Sequence, residues 1–298
     1  MFARLLGRSG LLIALSCAAS GLFAQEQPVV EAPQQETFVQ ALEANGIKLA
    51  ASPAKVKLGD IAEITLPEGF HAVERGSLKK FYEFTRNSMG GSEVGVLIAP
   101  GGWMLFFDYD DSGYVKDDDK NSLEAPKLMK SMTSNQDAAN KERVKRGWDE
   151  MKIAGWAAEP HYDTKTNNLK WAIKLTSSRD NHQSYWINES IRLLGRGGVM
   201  EVTLVTDNET FAADSAAADS LLTNRYTYVS GQRYAEFKEG DKIAEYGLAA
   251  LVLGGAGAVA LKLGFFQKFW KFLVFGAVAL FGAIGKLWNK ITGRNPDA

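Results

Sequence analysis

The sequence predicts an α+β fold, an antiparallel sheet covered by helices, followed by a C-terminal transmembrane helix or helical hairpin. Three observations predict it. Apolar runs with strand character follow one another between residues 151 and 206, joined by turns rather than by regularly placed helices. Helical segments elsewhere lack the strict strand–helix alternation of a parallel sheet. Two long uncharged apolar runs, 246–261 and 272–285, lie near the end of the chain.

Helix and strand signals alternate in the first half of the body. The first helix stops at Asn45-Gly46, a C-terminal cap signal, and the first strand stops at Pro67. The predicted elements are a helix at 37–43, a strand at 62–66, a helix at 78–85, strands at 94–99 and 103–109, and an amphipathic helix at 135–148.

Strand signals dominate the second half. Gly195-Arg196-Gly197-Gly198 joins the last two strands in a tight hairpin, where glycine permits positive φ. The predicted elements are strands at 151–158, 168–176, 185–194 and 199–206, an alanine-rich helix at 210–224, and a closing segment at 226–237.

Charge separates the body of the chain from its ends. Residues 25–242 contain 26 of the 34 basic residues and 33 of the 35 acidic ones, a net charge of −7, whereas both ends are basic. An acidic body argues against a nucleic-acid partner, which would require a basic face. The single cysteine, Cys17, lies in the N-terminal apolar run, so disulfides and cysteine–metal sites are not expected after that run is removed.

The N-terminus has the pattern of a secretory signal peptide. A cationic start precedes a short apolar run, and Ala24 stands where a signal peptidase cleaves. Lipid attachment at Cys17 is the less favoured alternative, because Ala14-Leu15-Ser16 matches the required approach poorly. The predicted organisation is a signal peptide at 1–24, a flexible leader at 25–36, an exported domain at 37–242, and a membrane anchor with a basic tail at 243–298.

The bilayer itself is therefore an expected partner. Residues 246–261, as a helix, would cover about 24 Å, so flanking residues must help to span a hydrocarbon core of about 30 Å. Export of residue 25 places the lysines between 262 and 271 on the cytoplasmic side, as the positive-inside tendency requires. We expect an inner-membrane protein with residues 25–242 in the periplasm. The run at 272–285 either returns as a hairpin, which we favour, or lies along the inner surface.

One acidic stretch has the spacing of a calcium loop. Asp108, Asp110, Ser112 and Asp119 occupy ligand positions, with Gly113 at the sharp bend. However, the last ligand is Asp rather than Glu, and a strand rather than a helix precedes the loop. We favour a β-hairpin between 103–109 and 114–115, in which the carboxylates diverge into solvent.

Other candidate site residues are weak. Arg192 and Arg196 could bind an anion, although hairpin chemistry explains the glycines around Arg196 better. His71, His161 and His182 lack metal-ligand spacing, and no Gly-x-Ser-x-Gly elbow is present. The sequence therefore predicts no catalytic residue and no cofactor.

Several motifs, in order, resemble those of an uncharacterised bacterial membrane-anchored family, domain-of-unknown-function family 2167. They include Gly113-Tyr114-Val115-Lys116-Asp117-Asp118-Asp119, Ala139-Asn140, Gly155-Trp156, Leu169-Lys170-Trp171-Ala172, Leu194-Gly195-Arg196, Arg233-Tyr234-Ala235, Asp241-Lys242 and Tyr246-Gly247. A departure occurs at 186–189, where an Asn-Tyr pair nearer Arg192 is expected. The resemblance implies a membrane-anchored envelope protein and supplies no reaction.

Two functions remain open from the sequence. The favoured one is a non-enzymatic membrane-anchored module, a scaffold or sensor that binds an unidentified envelope protein. The alternative is an envelope hydrolase whose polar residues converge only in the fold. Carboxylates, Arg192 or His161 gathered in a concave site with shifted pKa values would favour the enzyme.

Overall fold

A computed structural model describes residues 34–121 and 123–253. The predicted signal peptide at 1–24, most of the leader, and the apolar run at 272–285 lie outside these residues. The lysines between 262 and 271 also lie outside them. The folded body can therefore be compared with the predictions from Gln34 onwards.

An eight-stranded antiparallel sheet forms the centre of the body, in the order β1-β4-β5-β6-β10-β9-β8-β7. Its strands are β1 (Leu49–Ala51), β4 (His71–Val73), β5 (Glu93–Ile98), β6 (Met104–Asp110), β7 (Met151–Asp163), β8 (Asn168–Ser177), β9 (Tyr185–Leu194) and β10 (Val199–Asp207). A smaller antiparallel sheet, in the order β11-β3-β2, contains β2 (Lys55–Leu58), β3 (Ala62–Thr65) and β11 (Tyr226–Tyr228).

Helices cover both faces of the large sheet. They are α1 (Gln34–Ala44), α2 (Leu78–Phe84), α3 (Ala125–Lys145), α4 (Phe211–Arg225) and α5 (Leu248–Val252). Alternation along β6 assigns its side chains to the two faces, since successive strand residues point in opposite directions. Leu105 and Phe107 pack with α4 and the small sheet, whereas Met104 and Phe106 pack with α1 and α2.

The α+β class with a large antiparallel sheet is confirmed, and the predicted strands from 94 to 206 are all present. The short strands β1, β2 and β4, of three or four residues each, were not among the predicted elements. Such strands carry too few residues for a period of two to be recognised, and only pairing with a neighbour defines them. Helix α3 begins at Ala125 rather than at 135, with a proline in its first turn.

The hairpin predicted between 103–109 and 114–115 is wrong. Both edges of β6 are already occupied, by β5 and β10, so Tyr114 has no free edge of β6 to join. Tyr114 instead forms a parallel bridge with Ile243. The Tyr114 amide donates to the Lys242 carbonyl (2.8 Å), and the Ala244 amide donates to the Tyr114 carbonyl (2.9 Å).

The packed body continues past Lys242 into the first residues of the apolar run at 246–261. Leu248 and Leu251 of α5 are completely buried, in a cluster with Trp171 of β8 and Leu128 of α3. Among residues 34–121 and 123–253, no helix has the length and apolar character needed to cross a bilayer. The second half of the predicted span, residues 254–261, lies outside the described part of the chain.

Candidate functional site

A cleft of about 520 Å³ opens on the face of the large sheet that α1 and α2 cover in part. This volume lies in the range of small-molecule sites, roughly 300–1,000 Å³. Its lining is rich in aromatic side chains, namely Phe38, Tyr82, Phe84, Phe106 and Trp186. Polar and charged side chains at one end and along the far wall complete the lining.

The floor of the cleft is formed by strand residues that point to one face of the large sheet, since successive residues alternate between the two faces. Phe106 and Asp108 of β6 line it because Leu105 and Phe107 point to the opposite face. Thr203 of β10 is opposite Phe106 in the ladder, and it lines the cleft as well. The floor therefore combines apolar and polar residues from neighbouring central strands.

A row of ionisable side chains crosses four strands at one end of the floor. Asp108 of β6 is paired with Glu93 of β5 on one side and with Glu201 of β10 on the other. Glu201 is in turn paired with Arg192 of β9. The row therefore contains three carboxylates and one guanidinium, and we call it the acidic row.

Within the acidic row, Asp108 is the carboxyl group whose pKa is most clearly shifted. Burial raises the pKa of the Asp108 carboxyl to about 6, and the charges of Glu93 and Glu201 add to the rise. A hydrogen bond from Ser92 Oγ (3.2 Å) and the charge of Arg192 act in the opposite direction. Asp108 thus titrates close to neutral pH while lining the cleft.

Arg192 does not line the cleft, although it lies on the same face of the sheet as Asp108. Its Nη2 is 3.3 Å from Glu201 Oε2, and its guanidinium lies 4.8 Å from the centre of the Trp171 ring. The residue is 7% exposed, and its Nε and Nη1 atoms have no hydrogen-bond partner among the described residues. The charge of Arg192 is therefore directed mainly at Glu201.

The far wall of the cleft holds two arginines that already have partners. Arg179 Nη2 lies 2.7 Å from Asp149 Oδ2. Arg143 Nε donates to the backbone carbonyl of Asp149 (2.7 Å), and its guanidinium lies 5.5 Å from the centre of the Trp148 ring. These contacts join α3 to the turn that follows β8. We call Arg143 and Arg179 the basic wall.

Arg196, the second predicted anion-binding residue, lies in the turn between β9 and β10. Its Nε and Nη2 atoms each lie 2.7 Å from an oxygen of Asp241. These hydrogen bonds lower the pKa of Asp241 to about 2. Arg192 and Arg196 therefore each face a carboxylate of their own, and the structure does not bring them together on a shared anion.

The four predicted calcium ligands lie in three places. Asp108 lines the cleft, whereas the Tyr246 hydroxyl donates to the Asp110 carboxylate and lies 2.6 Å from Ser112 Oγ. Asp119 accepts the backbone amide of Leu248. Within the described ranges, no group of three or more His, Cys, Asp or Glu side chains is arranged to hold a metal ion.

The three histidines lie on separate parts of the sheet. His71 belongs to β4, and His161 is opposite Lys170 in the β7–β8 ladder. His182 Nδ1 is 2.9 Å from Thr176 Oγ1 in the turn before β9. None of the three lines the cleft. Of the groups whose gathering would favour an enzyme, the cleft therefore holds carboxylates, including those of Glu93 and Asp108, but neither His161 nor Arg192.

Asp108 and Arg192 of the acidic row were predictable as candidate site residues, whereas Glu93, Glu201 and the basic wall were missed. Glu93 and Glu201 are single acidic residues beside or within apolar strand runs, a signal that could have directed attention to them. Arg143 and Arg179 carried no comparable signal, because only the fold brings α3 beside the turn after β8.

Two solved structures resemble the chain weakly. One is cyanobacterial PsbP (CyanoP) from Synechocystis sp. PCC 6803, with a TM-score of 0.33 and 11% identity, covering 61% of this chain and 92% of that one. The other is the Ran-binding protein Mog1p of Saccharomyces cerevisiae, with a TM-score of 0.32 and 8% identity, covering 63% of this chain and 100% of that one. No curated protein matches the chain.

A family model described as a protein of unknown function, DUF2167, matches residues 50–285. The match includes the acidic row, the basic wall and the segment that leads into α5. It covers most of the chain, and the protein therefore belongs to the DUF2167 family.

Proposed function

We propose that the protein is a non-enzymatic binding module of the bacterial envelope, held in the inner membrane, whose cleft takes a ligand outside the cytoplasm. The basic, apolar N-terminus and the apolar runs at 246–261 and 272–285 support the membrane location. The aromatic lining and the volume of the cleft support binding of a small molecule with an apolar body.

One observation carries the proposal: strand β6 connects the cleft with the start of the proposed anchor. Asp108 lines the cleft, and Asp110, two residues further along the same face, receives the hydroxyl of Tyr246. Tyr246 is the first residue of the apolar run at 246–261. A ligand at Asp108 would therefore lie two residues along β6 from the residue that contacts the start of the proposed anchor. This arrangement suits a sensor, because ligand binding could alter that contact.

Packing reinforces this connection. Leu248 and Leu251 belong to the same buried cluster as Trp171, the ring against which the Arg192 guanidinium lies. Arg192 in turn belongs to the acidic row. The segment that leads into the proposed anchor is therefore linked to the acidic row in two ways. One link is the hydrogen bond from Tyr246 to Asp110 of β6, and the other is the packing of α5 on Trp171, which contacts Arg192.

The alternative, an envelope hydrolase, has one observation in its favour. A carboxyl group with a pKa of about 6 in a cleft suits general acid–base catalysis. We favour binding because Arg143 and Arg179 are already hydrogen-bonded at Asp149. In addition, the hydroxyl groups in the cleft, such as that of Thr203, have no histidine beside them among the described lining residues.

Filling the cleft tests the binding proposal. Ala41 of α1 lines the cleft, whereas Ala44 of the same helix is exposed and lies outside it. With the full chain in lipid nanodiscs, saturation-transfer NMR should detect 4-phenylbutanol. The signal should be lost in Ala41→Trp and kept in Ala44→Trp, with empty nanodiscs as the blank. An equal signal in both variants would contradict the proposed site.

The location is tested separately. Protease added to spheroplasts should digest residues 25–242, and the full chain should stay in the membrane fraction after alkaline carbonate. Protection of the body from protease, or recovery of the chain in the soluble fraction, would contradict the proposed location.

A further inference from the structure

We propose that the ligand of this cleft is an organic cation, an amine on an apolar body whose ammonium group contacts the carboxylate of Asp108. The inference rests on the proposed function, because it names the chemical class that the same cleft accepts. Three features of the site carry it: an unbalanced acidic row, aromatic walls, and a basic wall whose arginines, Arg143 and Arg179, are already hydrogen-bonded at Asp149.

The acidic row has more negative charge than its own cation balances. Arg192 is paired with Glu201, which leaves the carboxylates of Glu93 and Asp108 on the side of the cleft. Glu93 accepts the amides of Gly90 and Gly91, at 2.5 and 2.8 Å, and Asp108 accepts the Ser92 hydroxyl. These donors are neutral, so an ammonium group would supply the charge that the row lacks.

The aromatic walls suit a cation with an apolar body. Phe106 is two residues from Asp108 on the same face of β6, and Tyr82 of α2 lies edge-on to Phe106, with ring centres 6.0 Å apart. Aromatic faces within about 6 Å attract ammonium groups and also bury apolar carbon. Burial raises the pKa of the Tyr82 phenol, so this ring remains neutral.

The basic wall is a less favourable place for a cation than the acidic row. Its existing contacts also make it a poor site for a free anion. The Arg179 guanidinium faces the Asp149 carboxylate, and Arg143 donates to the Asp149 carbonyl. Arg86, the third arginine of the lining, is exposed at the rim. At Arg143 and Arg179 an anion would have to compete with these contacts. A cation at Asp108 displaces no charged partner.

An inorganic cation fits the site poorly. Calcium takes six to eight oxygen ligands and magnesium takes six. The described residues contain no group of three or more His, Cys, Asp or Glu side chains arranged to hold a metal ion. Two carboxylates, those of Glu93 and Asp108, beside aromatic rings suit an organic ammonium group instead.

A matched series of probes tests the inference on the full chain in nanodiscs. The probes are 4-phenylbutylamine, 4-phenylbutyrate and 4-phenylbutanol, which share one apolar body and differ in charge. At pH 7.5 we expect the amine to bind roughly ten-fold or more tightly than the acid, as an ion pair in a partly buried site requires. In Asp108→Asn, amine affinity should fall to that of the alcohol, while the exposed Asp118→Asn keeps the preference.

The pH dependence gives a second readout. Asp108 is surrounded by Glu93, Glu201 and Arg192, and it loses its charge below about pH 6. Amine affinity should therefore fall roughly ten-fold between pH 7.5 and pH 5, whereas alcohol affinity should not change. Asp108→Asn should abolish this dependence.

The outcomes separate the two proposals. If the alcohol binds and Ala41→Trp blocks it, but the amine and the acid bind equally or the acid binds better, the cleft is a binding site and the cation inference is wrong. If none of the three probes binds, the proposed function fails together with the inference.

Discussion

The carboxylate of Asp119 accepts the backbone amide of Leu248 at 3.0 Å, and its second oxygen accepts the amide of Ala249 at 3.1 Å. The acidic stretch after β6 thereby caps the first turn of α5, where amide protons have no partner within the helix. A residue that the sequence analysis considered as a calcium ligand is thus a structural contact of the segment leading to the proposed anchor.

Removing this cap should destabilise the domain measurably. We expect Asp119→Ala to lower the free energy of unfolding by about 1 kcal/mol, the usual cost of a lost N-terminal cap. Amide exchange at 248 and 249 should accelerate. The neighbouring Asp118 is exposed, so Asp118→Ala is the matched control. Equal stability of the two variants in urea titrations would show that the contact contributes nothing.

Truncating a buried leucine of α5 tests whether the start of the apolar run belongs to the folded body. Leu251 is fully buried in the cluster with Trp171. Leu251→Ala should therefore cost about 2–5 kcal/mol of unfolding free energy. Val144 of α3 is 54% exposed, and Val144→Ala should change stability by less than about 0.5 kcal/mol. A mild effect of Leu251→Ala would place α5 outside the cooperative unit.

Gly113 allows the backbone after β6 to lie close to residues 242–244, where Tyr114 forms its bridge with Ile243. Its φ is +110°, and a Cβ atom there would lie 2.6 Å from the Lys242 carbonyl oxygen. Gly91 has a similar φ of +102° but open space around it. Gly91→Ala should cost about 1–2 kcal/mol from backbone strain alone. Gly113→Ala should cost more than about 3 kcal/mol, because the bridge to Ile243 must also open. Thermal unfolding of both variants would measure the difference, and equal losses would refute the steric argument.

The raised pKa of Asp108 predicts a stability change with a definite sign. The folded state binds this proton more tightly than the unfolded chain, since the pKa is about 6 rather than 3.8. The free energy of unfolding should therefore fall as pH rises from about 4 to about 6, and then level off. Asp108→Asn removes this penalty and should be more stable than the wild type at pH 7, by roughly 1–2 kcal/mol after solvent screening is discounted.

The measurement is the difference between wild type and Asp108→Asn in urea titrations at pH 4, 5, 6 and 7. The difference should grow across this window and then stay constant. Asp118→Asn is an exposed control. Its free energy of unfolding should differ from that of the wild type by the same amount at every pH. A variant that loses stability at pH 7 would show that ionised Asp108 stabilises the fold.

Much of the secondary structure was predictable from local patterns. The strands from β5 to β10 are long enough for their apolar runs to be recognised, and the turn predicted at 195–198 joins β9 and β10. Its glycines do not have the expected positive φ. Gly198 is required instead because a Cβ atom there would lie 2.0 Å from the Asp110 carbonyl oxygen. The short strands β1, β2 and β4 were not predictable in this way, because hydrogen bonds to distant segments define them.

By itself, the sequence determined the α+β class, the resemblance to the DUF2167 family and the chemical character of each segment, because these depend on the order of neighbouring residues. Only the tertiary structure decided the site. Glu93, Asp108, Glu201 and Arg192 form a row because strand register places them opposite one another, although 108 positions separate Glu93 from Glu201. Register is set by pairing and by burial of one sheet face, both of which depend on contacts between residues far apart in the chain.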